Sequence, residues 1–160
     1  RQPGSAIKPL VVYAPYLGTG HNPDELIDDS PMEGGPENFE GRYPGEVTLT
    51  EALAWSSNVA AWKLFEQLTP EYGMSFVKKM HFRKIGEDEH YMAACLGGWS
   101  YGTSSLEMAS AYAALANDGI YREPTAVMRI TDSKGRLIVD NGGSDTAVYD
   151  YMEELYACGS

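Results

Sequence analysis

Ser5-Ala6-Ile7-Lys8 is the first group in the chain whose residue types and spacing could do chemistry. A serine hydroxyl is a weak nucleophile at its own pKa and needs a base beside it. On a helix, residues i and i+3 lie on one face, within side-chain reach. A lysine whose charge is disfavoured by burial can then take the serine proton. The same spacing recurs at Ser75-Phe76-Val77-Lys78, but there both residues fall within a helical pattern and read as a solvated polar face. Ser5 instead follows a glycine at a helix start, where an exposed Oγ is natural. Ser56-Ser57-Asn58 is the second candidate. The Ser56 hydroxyl could relay a proton to or from a leaving group, and the Asn58 amide could hold a substrate carbonyl. In the alternative reading, both residues merely cap adjoining helices.

The elements that must position these residues follow from local signals. Residues 5–17 are mostly apolar and read as a helix with Ser5 at its start, because Pro9 is tolerated only in a first turn. Residues 18–47 are too rich in glycine and proline for regular structure and read as a long excursion. Thr48-x-x-Glu51 has the spacing of a capping box, predicting a short helix through Trp55. A second helix is expected from Val59 to Leu68, and a third from Thr69-Pro70 to about Met80. Ser104-x-x-Glu107 is another capping box, opening an alanine-rich helix over 106–117 closed by Gly119. Alternation over 126–139, with a turn at Asp132 to Gly135, predicts a β-hairpin. A last helix is expected over roughly 146–157.

Composition bounds what such a chain does. Its 160 residues are 43% hydrophobic and 22% charged, which is globular rather than disordered. The formal charge is −11, from 12 basic and 23 acidic residues, and a basic face for DNA or RNA is therefore not expected. Nine acids against Arg42 alone lie in 21–51, which reads as a solvated loop. No apolar run approaches the roughly 20 residues that span a bilayer. The opening Arg1-Gln2-Pro3-Gly4 looks cut from something longer and is no signal peptide. Cys95 and Cys158 are too few and too far apart for a disulfide framework or a zinc knuckle, and His21, His81 and His90 lack ligand-like spacing.

Ser-x-x-Lys followed by Ser-x-Asn is part of a three-part signature of acyl-serine transferases. Arg1-Gln2-Pro3-Gly4-Ser5-Ala6-Ile7-Lys8-Pro9-Leu10 resembles the active-site segment of the class A penicillin-binding proteins. Tyr43-Pro44-Gly45-Glu46-Val47-Thr48-Leu49, running on to Ser56-Ser57-Asn58-Val59-Ala60, is similar to that family's approach to its second motif. Leu96-Gly97-Gly98-Trp99 and Ala111-Tyr112-Ala113-Ala114-Leu115-Ala116-Asn117 resemble its later helical block.

The resemblance implies a serine D,D-transpeptidase domain that cross-links peptidoglycan stem peptides at the extracytoplasmic face of a bacterial membrane, without metal or organic cofactor. Ser5 would attack the D-Ala-D-Ala carbonyl, Lys8 would act as base, and Ser56 and Asn58 would complete the proton network. β-Lactam antibiotics would acylate the same serine. The implied fold class is mainly α with a small β-hairpin (α+β), the helical subdomain of the transpeptidase and serine β-lactamase-like fold. The family's third motif, Lys-Thr-Gly or Lys-Ser-Gly, does not occur in residues 1–160. The expectation is therefore a partial domain over 1–160 with its central sheet largely absent, an acidic excursion at 18–47, and weak catalysis alone. Losing oxyanion stabilisation costs about two to three orders of magnitude in rate. An apolar face bared by the missing sheet would favour self-association. A β-lactamase or D,D-carboxypeptidase of the same fold, and a non-catalytic binding or structural relative, are the alternatives.

Overall fold

The computed structural model describes residues 1–86, 91–142 and 145–149. At its centre runs an N-terminal helical segment made of a 3-10 turn (Gly4–Ile7), a π-type turn (Pro9–Tyr13) and the short helix α1 (Ala14–Leu17). The prolines set these changes of pitch. Pro9 and Pro15 have no N–H to extend an α-helical ladder. The Lys8 N–H bonds Ser5 O instead, and the Ala14 N–H reaches back five residues to Pro9 O. Leu10 O thereby loses its ordinary α-helical donor, and the buried Tyr149 hydroxyl donates to it at 2.9 Å. Pro9 thus lies beyond the first turn, contrary to the reading from sequence. Nor does Ser5 cap the helix: Pro3 holds the N-cap position and no side chain caps the turn.

Ile7, Leu10, Val11 and Val12 of this segment are fully buried. Each such side chain contributes about 1.5–3 kcal/mol of hydrophobic stabilisation. They pack in one core with Leu64 and Phe65 of α3 (Asn58–Leu68), Met74 and Val77 of α4 (Pro70–Lys79), and Trp99. Gly73 lets α4 approach closely, since a Cβ there would lie 2.5 Å from Val11 O.

The local signals produce the expected helices. The capping box before α2 (Leu49–Ala54) forms, with the Glu51 N–H donating to Thr48 Oγ1 and the Thr48 N–H to the Glu51 carboxylate. Thr69 caps α4, with Pro70 as its first residue. Ser104 and Glu107 box the start of α5 (Ser105–Leu115), and the Gly119 N–H closes on Ala114 O at 2.9 Å. Burial opposes ionisation of Glu107, but hydrogen bonds from the Arg83 and Ser104 N–H groups and two hydroxyls hold its pKa at about 2.

Among the described residues there are six strands, β1 (Leu26–Asp28), β2 (Glu46–Thr48), β3 (Ile120–Arg122), β4 (Arg129–Thr131), β5 (Leu137–Asp140) and β6 (Asp145–Ala147). They pair only as antiparallel couples among the described residues: β1 with β2, β3 with β6, and β4 with β5. β4 and β5 are the predicted hairpin, which leaves Ile130, Leu137 and Ile138 exposed. The fold is mainly helical with small sheets, as the sequence implied.

The expected final helix is corrected at its start. Asp145–Ala147 is a strand in register with β3, with Thr146 opposite Tyr121. Next along the chain, the Val148 and Tyr149 N–H groups both donate to Gly119 O. Tyr149, wholly buried and stacked on Phe76 at 5.0 Å, anchors that arrangement. Edge pairing and one aromatic anchor outweigh helix propensity here. The remainder of that helix, with His90 and Cys158, lies outside the described residues. Among the described residues, no helix is long and apolar enough to cross a membrane.

Candidate active site

Lys8 is only 1% exposed, and its ammonium is the hub of the site. Right-handed helical backbone at Lys8 carries the side chain off the N-terminal segment towards the turn between α2 and α3. There Nζ donates to Ser56 O at 2.6 Å, Asn58 Oδ1 at 2.7 Å, Ser56 Oγ at 3.1 Å and Ser57 O at 3.1 Å. Burial pulls the Lys8 pKa down to about 8, against smaller upward pulls from Cys95 and Asp29. Desolvation disfavours the charged form, so Lys8 is far closer to a usable base at neutral pH than an ordinary lysine.

The turn that meets Lys8 is built from three residues with different jobs. Ser56 sits at φ 57°, in the left-handed region that non-glycine residues rarely enter. Its hydroxyl and carbonyl both face Lys8. Ser57 is the true N-cap of α3, its Oγ accepting from the Ala60 N–H at 3.0 Å. Asn58 is the first residue of α3, its amide oxygen on Lys8 and its Nδ2 donating to Glu37 O at 2.8 Å. Capping therefore falls to Ser57, and the Ser56 hydroxyl and Asn58 amide oxygen are turned to the lysine.

Three of the four sequence-derived candidates, Lys8, Ser56 and Asn58, thus meet within hydrogen-bond distance. Ser5 lies one turn before Lys8 and is exposed, and among the described residues its hydroxyl has no hydrogen-bond partner. Its backbone is nonetheless closely held. Gly97, at φ 79°, packs so tightly on the preceding residue that a Cβ would fall 2.3 Å from Gly4 N and O. On the next turn of the same loop, the Arg1 amino group and Thr103 N–H exchange hydrogen bonds with the opposite carbonyls at 2.9 and 2.7 Å. A cleft of about 190 Å³ opens beside Ser56, bordered by Phe39, Arg42 and Trp55. The Arg42 guanidinium lies 4.1 Å from the Trp55 ring centre.

Two residues of the acidic excursion that sequence reasoning did not single out also reach this turn. Asp29, directly after β1, is 1% exposed, and Asn38 is 8% exposed. Asn38 Oδ1 accepts from the Asn58 and Val59 N–H groups at 2.8 and 3.0 Å. Asp29 Oδ1 accepts from the Ala60 N–H at 3.2 Å and from the Ser57 hydroxyl. The solvated-loop reading describes the other eight acids of 21–51, all exposed, but not Asp29. A turn-forming Asp-Ser pair and a Pro-x-Asn step just upstream of Ser-x-Asn were the only signals for them. The two described histidines, which the sequence did not single out, have partners of their own. His21 pairs with Glu25 and stacks on Tyr16, and His81 pairs with Glu123.

The site is thus a buried lysine bound by a Ser-x-Asn turn, one helical turn from an exposed serine. Comparison with known proteins places it more narrowly. Residues 1–150 match the family model for the penicillin binding protein transpeptidase domain. Penicillin-binding protein 4 of Bacillus subtilis (strain 168) is 33% identical over 159 residues, covering 97% of this chain and 26% of that protein. The structure of penicillin-binding protein 1A from Haemophilus influenzae superposes with a TM-score of 0.72 at 28% identity, over 88% of this chain and 22% of that one. PonA1 from Mycobacterium tuberculosis, solved in complex with penicillin V, gives 0.78 at 25% identity, over 95% and 44%. The chain belongs to the transpeptidase domain family of the class A penicillin-binding proteins. It spans about a quarter of the length of the Bacillus relative.

Proposed function

We propose that the chain carries the nucleophile and proton-transfer half of a serine D,D-transpeptidase, with Ser5 as nucleophile. The observation that carries this reading is the buried Lys8 ammonium, bonded at once to Ser56 Oγ and Asn58 Oδ1 and one helical turn from the exposed Ser5. In the reaction, Ser5 Oγ attacks the carbonyl of a D-Ala-D-Ala peptide bond while its proton passes to neutral Lys8. The proton is handed on through Ser56 to the departing D-Ala amine, which leaves an ester on Ser5. An amine of a second stem peptide attacks that ester and frees Ser5, whose proton returns by the same route. Ser5 joins this network by a side-chain rotation, since catalytic hydrogen bonds are often long or unformed without substrate. The cleft beside Ser56 is where the acyl chain would lie. A β-lactam would trap the same serine. The activity belongs at the extracytoplasmic face of the membrane, where stem peptides are cross-linked.

Nothing in the site favours a β-lactamase. That reaction needs a general base to activate the deacylating water, and Asp29, the one buried acid among the described residues, has both oxygens occupied by donors. With no Lys-Thr-Gly in residues 1–160, the chain alone should acylate about a hundred- to a thousandfold more slowly than a relative that has the third motif. Intact-mass analysis after incubation with penicillin tests both parts. A slow adduct, mapped to Ser5 and missing in Ser5→Ala, is expected. Prompt stoichiometric labelling would overturn the rate claim, and an adduct that survives Ser5→Ala would overturn the assignment.

A further inference from the structure

The Ser56–Asn58 turn is sandwiched between opposite polarities. Its carbonyls, at Ser56 and Ser57, face the Lys8 ammonium. Its Ser56 and Ser57 N–H groups close on α2, at Leu53 O and Ala52 O, while the Asn58 N–H and the first turn of α3 face two side chains from the excursion. Asn38 Oδ1 takes the Asn58 and Val59 N–H groups and lies 3.2 Å from the Ser57 hydroxyl, while Asn38 Nδ2 donates to Asp29 Oδ2 at 2.9 Å and Arg42 O at 3.0 Å. Asp29 in turn takes the Ser57 hydroxyl and the Ala60 N–H on Oδ1.

These partners fix which way the Asn38 amide points. Reversed, its NH2 would face the N–H groups of Asn58 and Val59, and its oxygen would face a carboxylate and a carbonyl. A left-handed backbone such as Ser56 persists only where its surroundings over-determine it. Asn38 and Asp29 supply that constraint from the side away from Lys8.

We propose that Asn38 and Asp29 are positioning residues for catalysis, a polarity-matched pair that holds the Ser56–Asn58 turn in the geometry Lys8 requires. The proposal rests on the acyl-transfer reading above. Neither residue hydrogen-bonds Ser5 or Lys8, so both hold the turn through Ser57 and the N-terminus of α3, and the Asp29 charge adds only a smaller upward pull on the Lys8 pKa. A role of this kind predicts a specific pattern of rescue. Asn38→Asp alone sets a second carboxylate against Asp29 and Arg42 O. Asp29→Asn alone sets an NH2 against the Asn38 NH2 or the Ala60 N–H. The double substitution Asp29→Asn/Asn38→Asp restores donor to acceptor between the pair, keeps one negative charge, and leaves a carboxylate oxygen facing Arg42 O as its one unmatched contact.

The test measures the acylation rate constant at saturating penicillin for the wild-type chain, Asn38→Ala, both polar single variants and the double variant. It is run below the melting temperature of each, with folding verified by circular dichroism. In parallel, carbon-detected NMR follows the Lys8 Cε titration in the wild-type chain, Asn38→Ala and the double variant, which carry the same charge around Lys8. Asp29 and the Cys95 thiol are the titratable groups whose charge bears on that lysine. We expect the single variants to acylate about tenfold to a hundredfold more slowly, the scale on which small misplacements act. The double variant should recover to within about threefold. The Lys8 midpoint should rise towards that of an ordinary lysine in Asn38→Ala, as water reaches the loosened turn, and return in the double variant. Folded single variants with wild-type acylation and an unmoved Lys8 midpoint would overturn the proposal. So would a double variant no faster than the slower single one. A wild-type chain that forms no Ser5 adduct would overturn the acyl-transfer reading instead, and the Lys8 midpoints would then decide the positioning claim alone.

Discussion

The two Ser-x-x-Lys tetrapeptides show how little the spacing itself decides. Both put serine and lysine one turn apart on a helix. At the first, Lys8 is buried and bound by four oxygens of a turn far away in sequence, and Ser5 is left exposed. At the second, Lys78 is exposed in the last turn of α4, and Ser75 Oγ donates to Tyr72 O of its own helix at 2.6 Å. That local bond occupies the hydroxyl, and the exposed lysine gains no desolvation to favour its neutral form. What separates the sites is the Ser56–Asn58 turn that faces only Lys8. Spacing brings a nucleophile and a base to one face. Burial against an opposing turn makes the base usable.

Penicillin labelling should break the symmetry completely at the serines. Ser5→Ala is expected to abolish the adduct and Ser75→Ala to leave it unchanged, read by intact mass and peptide mapping. At the lysines the contrast should be nearly as large. Lys8→Gln keeps a polar head among the oxygens but removes the base, and should slow acylation by about two to four orders of magnitude. Lys78→Gln should change it by less than twofold. If both lysine variants slowed acylation equally, the claim that burial distinguishes them would fail.

The pH profile gives the next effect. In the proposed mechanism Ser5 acylation requires neutral Lys8, and with a pKa near 8 about a tenth of the molecules qualify at pH 7. The rate should therefore climb about tenfold per pH unit below 8 and level off above it. A flat profile between pH 6 and 9 would remove Lys8 as the base. Stability carries the same sign. The folded pKa lies below the unfolded value of 10.5, so unfolded chains bind more protons between the two, and unfolding free energy should rise with pH from about 8 to 10.5.

Much of the scaffold was legible because its signals are local. The capping boxes at Thr48/Glu51 and Ser104/Glu107, the Thr69-Pro70 start and the Asp132–Gly135 turn each act within four residues, and each forms as read. Ser5, Lys8, Ser56 and Asn58 were legible as types and order, though not as contacts. Asp29 and Asn38 were not, since composition marks the excursion as solvated, and for most of its acids that holds. Burying one carboxylate depends on donors that only the folded turn at Ser57 and Ala60 supplies. The strand at Asp145–Ala147 escaped for a similar reason, since its partner β3 lies far from it in sequence.

The smallest expected effect asks what Lys78 does in place of catalysis. It lies with Lys79 in the last turn of α4, where a cation offsets the partial negative charge of the helix C-terminus. The helix-end contribution lost in Lys78→Gln should therefore be about 0.5 kcal/mol in dilute buffer. Because the side chain is exposed, that difference should largely vanish in 1 M salt, where the Debye length falls to about 3 Å. Lys8 should behave oppositely. Its partners are the fixed dipoles of a buried turn, which mobile ions do not reach, so its titration midpoint should hold steady over the same salt range. Urea denaturation of Lys78→Gln at two salt concentrations, beside the Lys8 titration at both, reads the pair. A loss at Lys78 that 1 M salt leaves unchanged would mean that screening does not distinguish the two lysines.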